Sequence, residues 1–380
     1  MKRRLIAGQC ALALAVVCPS FAVAAPPSLS IEKISTTKVQ VVAPNGDRGA
    51  ALAQLRDGRL LLGGGKNGSN LYLYDRKSES LSTLGRVIKS SERINDSRFA
   101  ITDIAILNES GNSLSLLISF PEYNRTNSCV TLVLYRYSLA PTAKPQLTRG
   151  KQWFRSSPCV PVSAVQHAAG RIEVIDSKSA YLTTGDLGFP KINNRSARGT
   201  LGSIYKVSAS RVTRISQGHR NPQGVVLIGS DLYISEHGPR GGDELNLVEQ
   251  GKDYGWPFVT YGEPYGSGDY VRPTKTGTHD GFTKPLFYWV PSVAPTELIQ
   301  LPENSSWGKW AGHIVMGTLR ENSLIFIELD SQKVIGEVSN VNVGERIRDL
   351  EVDSSGTIMA TTDSGDLLFI SPNYFFSFHN

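Results

Sequence analysis

One theme recurs along this chain and limits what it can fold into. An apolar strand runs into an Asp/Ser-Gly turn, a second strand, a polar tip and a third strand. It appears first as ALAQLRDGRLLLGGGKNGSNLYLYD, then as ITDIAILNESGNSLSLLISF continuing through CVTLVLYRYSL. RIEVIDSKSAYLTTGDLG with GSIYKVS follows, and then GVVLIGSDLYISEHG with ELNLV. AGHIVMGTLRENSLIFIELD and RDLEVDSSGTIMATTDSGDLLFISP complete six copies, with longer insertions breaking the spacing. Strong helix signals are nearly absent. Three or four antiparallel strands cannot bury a face alone, so each copy must pack on its neighbours, and radial stacking is the natural result. The expected fold is all-β, and a six-bladed β-propeller is the simplest closure. Seven blades or a pair of sandwiches are the alternatives.

The 380 residues are 40% hydrophobic, which is enough for a large core in a single domain of this type. Residues 1–25 read as a secretory leader: Met1-Lys2-Arg3-Arg4, an apolar run through Val17, and small residues around Ala24-Ala25. Gln9, Pro19 and Ser20 interrupt that run, which is short for a membrane span. The expected organisation is therefore a removed signal peptide over 1–25 and one propeller domain over 26–380, periplasmic or secreted, with no membrane span once the leader is gone. Losing Lys2, Arg3 and Arg4 lowers the formal net charge from +6 to about +3. The remaining charge is scattered and does not suit nucleic acid. Cys129 and Cys159 are the two cysteines left. In an oxidising compartment they form one disulfide; the alternative is two buried thiols.

The densest chemistry lies between Gly218 and Trp256. Two polar clusters, HRNPQG and SEHGPRGGDE, flank a short strand–turn–strand. Gly238, Gly241 and Gly242 remove side chains from the second cluster and Pro239 stiffens it, so backbone carbonyls can approach a ligand. Asp243 and Glu244 follow at once, placing hard oxygen ligands beside an open backbone, a combination that suits Ca²⁺. Other motifs fail. GGGKNGS at 63–69 lacks phosphate-loop spacing and reads as a hairpin tip. No H-E-x-x-H, no G-x-S-x-G, and no G-x-G-x-x-G opening a helix is present, so zinc hydrolysis, a nucleophile elbow and a nicotinamide dehydrogenase are all disfavoured.

The run HRNPQG, then EHGPRGGDE-x-N, then YGWP resembles the soluble quinoprotein glucose/aldose sugar dehydrogenase family. The resemblance is strong over 215–260 and recognisable from about 160 to 370. It implies a six-bladed β-propeller of four-stranded antiparallel blades that uses pyrroloquinoline quinone (PQQ) and Ca²⁺. It implies His167, in QHAAGRI, as the catalytic base. Arg220 and Asn221 match cofactor contacts, and Arg346 and Arg348, in GERIRDL, match a carboxylate clamp. Arg320, in MGTLREN, stands where the family usually has lysine. The carbonyls of Gly238 and Pro239 match ligands of a cofactor-bridging Ca²⁺, and Glu244 with the Tyr254 carbonyl matches a second, structural Ca²⁺. The implied partners are a sugar or small alcohol and a periplasmic electron acceptor.

Several positions depart from that pattern. Gln166, Ala168 and Ala169 replace an Asp or Asn before the base and two glycines after it. Arg98 or Ser97 stands in place of a cofactor-contacting glutamine in the second blade, and Gly-Asp-Arg-Gly at 46–49 occurs near where a Pro-Trp pair is typical. The long irregular stretches 187–200 and 262–284 are expected to rim the site, with Tyr265, Tyr270 and His279 as substrate contacts. His219 and His237 read as structural. The alternative to an enzyme is a propeller that keeps the calcium loop but has become a carbohydrate- or protein-binding module.

Overall fold

A computed structural model describes residues 26–373, except 112, 141, 143, 163–166 and 267–270. The leader expected over residues 1–25 lies outside the described residues, as do Gln166 and Tyr270. Six antiparallel sheets form the six blades. Their innermost strands are Ala51–Gln54, Asp103–Ser110, Ala169–Asp176, Pro222–Ile228, Pro295–Gln300 and Ile347–Val352. Each inner strand packs beside the next, and that of blade 6 returns to that of blade 1. The seven-blade and sandwich alternatives are thereby removed. Blade 2 carries one extra short strand, Val160–Pro161, paired with Cys129–Val130.

The ring is closed by its two ends. Leu29–Ser35 forms the outermost strand of blade 6, in register with Asp366–Pro372 from Leu29↔Pro372 to Ser35↔Asp366. A blade with only three strands from the C-terminal segment would leave an unpaired edge, and the first strand of the domain covers it. Apolar clusters fill the spaces between blades; one joins Leu61, Leu71, Ile104 and Ile118 of blades 1 and 2. The GGGKNGS segment does join the second and third strands of blade 1. Cys129 and Cys159 are bonded, tying a strand of blade 2 to a segment 30 residues on. Reducing this bond is expected to cost about 2–4 kcal/mol, visible as a lower urea midpoint for reduced than for oxidised protein.

Inner strands have one edge without a strand partner, and carboxylates supply acceptors there. Asp349 of blade 6 accepts from Leu52 N of blade 1 at 2.8 Å, Asp103 of blade 2 from Ile172 N of blade 3 at 2.6 Å, and Glu297 of blade 5 from Val225 N of blade 4 at 2.7 Å. Arg171, 2% exposed, lies among these three acids, hydrogen-bonding Glu297, Asp349 and the Thr102 carbonyl. The three carboxylates are close enough to share a metal ion. The Arg171 guanidinium already supplies the cation between them.

Candidate active site

The starts of the inner strands gather at one mouth of the central channel. A cleft of about 150 Å³ there is lined from all six blades: by Arg48, Arg98 and Thr102, by His167, Ala168 and Ala169, by Asn221, Gln223 and His237, and by Leu319 and Arg348. Among the described residues no carboxylate lines it, and three guanidiniums do.

His167 owes its position to backbone geometry and register. It has φ +55° and Ala169 has φ +54°, a left-handed turn that glycine adopts far more easily than alanine. That gives a physical reason for the family's glycines at this turn; here alanine accepts the strain. Ala169 pairs with Thr184 across the blade 3 hairpin. Extending that register two residues places His167 opposite Asp186. Nδ1 of His167 lies 2.8 Å from Asp186 Oδ1, and Nε2 lies 3.1 Å from Arg220 Nη2. A guanidinium can only donate, so Nε2 is the acceptor, and the ring proton sits on Nδ1, donated to Asp186. His167 is thus a neutral imidazole in the cleft wall, with its Nε2 lone pair taken by Arg220. Burial, then Arg220, push its pKa below the usual 6.5, against the opposing pull of Asp186.

Asp186 is 1% exposed, yet its remaining bonds are well made: Gly188 N donates to Oδ1 at 2.7 Å and Trp256 Nε1 donates to Oδ2 at 2.8 Å. Burial pushes its pKa up, but His167, Arg220 and the Gly188 amide together hold it below the ordinary value. The guanidinium of Arg220 lies 5.3 Å from the Trp256 ring, with Nη1 on the Gly238 carbonyl at 2.5 Å and on the His237 carbonyl at 3.2 Å. Sequence reasoning missed Asp186. Its signal was TTGDLG at the end of the strand that pairs with the one after His167.

The other implied cofactor residues divide into two sets. Asn221 and Arg348 line the cleft, and Arg348 is held by Asp363 through Nε and Nη2, each at 2.9 Å. Arg346 shares Asp363 at 3.0 Å but keeps about half of its side chain in solvent and does not line the cleft. Arg320 is exposed and also lies outside the cleft lining. Arg98 does not fill the space. It turns back on Asp96 through its Nε, at 2.9 Å, and its Nη2, and stays at the cleft wall.

Around the glycine-rich loop the oxygen inventory differs from the sequence reading at one position. Asp243 is fully engaged, accepting from Gly238 N, Ser292 Oγ, Val293 N and Ala294 N, so it shapes the loop and is not an open ligand. Gly238 must be glycine: a Cβ there would meet the Gly241 and Gly242 carbonyls at 2.3 Å. Its own carbonyl takes Arg220, and the Pro239 carbonyl takes the Tyr265 hydroxyl at 3.2 Å. Both oxygens are taken by protein donors here, so a cation on them would have to displace Arg220 and the Tyr265 hydroxyl. Glu244 and Tyr254 line a separate void of about 10 Å³ with Glu236. Asn246 donates to Glu236 at 3.0 Å and to Glu244 at 3.1 Å, while its Oδ1, wholly buried, has no partner. Two buried carboxylates beside an orphaned amide oxygen fit a hard cation such as Ca²⁺.

His279 is not a substrate contact in this arrangement. It is 2% exposed, stacked 4.8 Å from Tyr261, with Nε2 2.8 Å from Glu244 Oε1 and poorly aligned for a full hydrogen bond. His219 is enclosed between Glu236, at 2.9 Å, and Ser216, at 2.8 Å. His237 donates Nε2 to the Pro295 carbonyl at 2.6 Å and is pushed down to about 4, first by burial and then by Arg220, against the pull of Asp243. It is therefore a neutral wall of the cleft.

Comparison with known proteins decides the family. The model of the "Glucose / Sorbosone dehydrogenase" family matches residues 47–369. The chain belongs to that family. Aldose sugar dehydrogenase YliI of Escherichia coli (strain K12) is 35% identical over 175 residues, 44% of this chain and 46% of that one. Uncharacterized protein slr1608 of Synechocystis sp. (strain ATCC 27184 / PCC 6803 / Kazusa) is 34% identical over 233 residues, 53% and 55% of the two chains. The chain thus spans about half the length of these curated relatives. Among solved structures, the apo-form of the soluble aldose sugar dehydrogenase from Escherichia coli superposes with TM-score 0.72 at 21% identity, over 91% of this chain and 100% of that one. The PQQ-bound form of an aldose sugar dehydrogenase from Streptomyces coelicolor gives 0.64 at 21%, over 92% and 100%. At these identities the likeness is one of fold.

Proposed function

We propose that this member of the glucose/sorbosone dehydrogenase family is an exported PQQ- and Ca²⁺-dependent dehydrogenase that oxidises aldose sugars or related alcohols. The observation that carries this reading is the neutral His167, backed by Asp186 and with Nε2 on Arg220, in the wall of a cleft that among the described residues holds three guanidiniums and no carboxylate. The cleft suits a planar polycarboxylate, because guanidinium groups pair with carboxylates in bidentate fashion. PQQ, when bound, supplies the two-electron acceptor for the hydride from the alcohol carbon. His167 takes the hydroxyl proton at Nε2, and Arg220 yields that position to the substrate hydroxyl. Asp186 then stabilises the imidazolium through Nδ1–H and holds the ring in one tautomer. Arg348 and Asn221 would hold the cofactor in the cleft, and Glu244 with the Tyr254 carbonyl would take the structural Ca²⁺. The electrons would leave to a periplasmic acceptor. Gly238 and Pro239 would hold the second Ca²⁺ once Arg220 moves off the Gly238 carbonyl.

Purified protein loaded with PQQ and Ca²⁺ is expected to reduce an artificial dye with an aldose. Because burial and Arg220 depress His167, the acid limb of kcat/KM should have its midpoint below pH 6.5. Asp186 opposes that depression, so Asp186→Asn should move the limb lower still while reducing kcat. The same sign holds for stability: a histidine depressed in the fold destabilises it as pH falls through 6.5. PQQ binding without dye reduction for any aldose would favour the binding-module alternative. A limb midpoint above 6.5 would remove His167 as the base.

A further inference from the structure

One arginine in the cleft wall, Arg48, has no side-chain acceptor among the described residues. Three guanidiniums line its blade 6, 1 and 2 side, with Arg346 just outside, and two carboxylates answer three of these four. Asp363 takes Arg346 and Arg348, and Asp96 takes Arg98. Arg48 makes no side-chain hydrogen bond or ion pair among the described residues, and its Nε is sealed from solvent without an acceptor. Its residual exposure is that of a residue lining the cleft. Burial, then the neighbouring Arg348 charge, push it down to about 9, so the folded protein pays to keep this cation in place.

The position is built. Arg48 exchanges both backbone hydrogen bonds with Val41, each at 2.9 Å. Gly49 N donates to Asp363 at 2.9 Å, the same carboxylate that holds Arg348. A Cβ on Gly49 would meet the Thr362 carbonyl at 2.6 Å and Arg348 Cβ at 2.8 Å, so glycine lets the two arginine-bearing segments lie side by side. An unpaired guanidinium fixed beside a paired one, facing a cleft, is an anion receptor that lacks its anion.

We propose that Arg48, beside Arg348, is a carboxylate-binding position of the cleft, and that its ligand is a carboxylate group of the bound quinone cofactor. This rests on the PQQ reading given above. It rebuilds with guanidinium the N-terminal side of the seat, where this chain departs from the family pattern at residues 46–49 and 98. No bond is made or broken; the step is recognition of one carboxylate by one planar fork.

The test is calorimetric titration of the full-length apo-protein with PQQ in the presence of Ca²⁺, comparing wild type with Arg48→Gln and Arg48→Lys. Melting temperatures of the unliganded forms are recorded alongside. The expected result is PQQ binding about 10- to 100-fold weaker in Arg48→Gln. Arg48→Lys should recover part of that loss, since it keeps the charge but not the fork. The unliganded Arg48→Gln protein should melt no lower than wild type, because the substitution removes an unpaired cation. An Arg48→Gln dissociation constant equal to that of wild type overturns the proposal while leaving the PQQ reading intact. So does a lower unliganded melting temperature with unchanged affinity, which marks a purely structural residue. If wild type does not bind PQQ, the cofactor reading and the identity of the ligand both fall. Benzene-1,2,4-tricarboxylate then separates the two: stabilisation of wild type but not of Arg48→Gln keeps Arg48 as a carboxylate position, and stabilisation of neither overturns it.

Discussion

Replacing His167 with alanine is expected to lower kcat by about 10²- to 10⁴-fold, the usual contribution of a general base, while PQQ still binds. The two parts of this result have separate origins in the structure. His167 has a single lone pair, on Nε2, which Arg220 holds at 3.1 Å and a substrate hydroxyl would take over, and its other nitrogen is committed to Asp186 at 2.8 Å. Cofactor affinity would come instead from guanidiniums such as Arg348, which is oriented by Asp363 and not by His167. Steady-state dye reduction and PQQ titration of the same preparation check both parts. Loss of PQQ binding together with activity would mean that the imidazole holds the cofactor, and retained activity would place the base elsewhere. His167→Gln is the companion variant, since it keeps an acceptor near Nε2 but cannot take a proton at neutral pH; it should be as slow as the alanine.

The second large effect concerns stability. Arg171→Met is expected to destabilise the protein by about 3–5 kcal/mol or more, the cost of leaving buried charge without its partner. Arg171 is the common partner of Glu297 and Asp349 and lies 3.9 Å from Asp103. These acids also bridge neighbouring blades through backbone amides, so their mutual repulsion would act on the closure of the ring. The pH dependence follows with a definite sign. Burial, then the Glu297 charge, raise Glu173 to about 8; burial, then Asp349, raise Glu351 to about 8; burial raises Glu297 to about 7 against the pull of Arg171. Acids whose pKa is raised by folding bind protons more readily in the native state. Their contribution to stability is therefore present at low pH and lost as pH rises from about 4.5 toward 8. Wild-type protein should have a higher urea midpoint at pH 6 than at pH 8 as far as this channel is concerned, and Arg171→Met should steepen the difference. A flat pH response in the variant would mean that the acids titrate normally and that Arg171 is not what balances them.

The strand-and-turn alternation made the blades legible because each blade is local: its strands follow one another, and turns such as Gly229-Ser230-Asp231 state where they reverse. The polar loops were legible for the same reason, since HRNPQG and EHGPRGGDE are contiguous. Pairing Cys129 with Cys159 was an expectation from cysteine count, since these are the two cysteines outside the expected leader, and the bond is present.

What the linear order could not decide was which distant groups meet, and whether a charged group is already satisfied. Leu29–Ser35 closes blade 6 by pairing across more than 300 residues, as the Leu29↔Pro372 register shows. Asp243 looked like an open oxygen ligand, but four donors from its own loop and from residues 292–294 consume it. His279 looked like a rim residue and is sealed against Tyr261 and Glu244. Composition, local pattern and loop chemistry are properties of neighbours along the chain, so the amino-acid order alone carried them. The His167–Asp186 pair, the Arg171 cluster and the unanswered charge of Arg48 depend on burial and on the removal of water from groups brought together by ring closure, and only the folded propeller sets those.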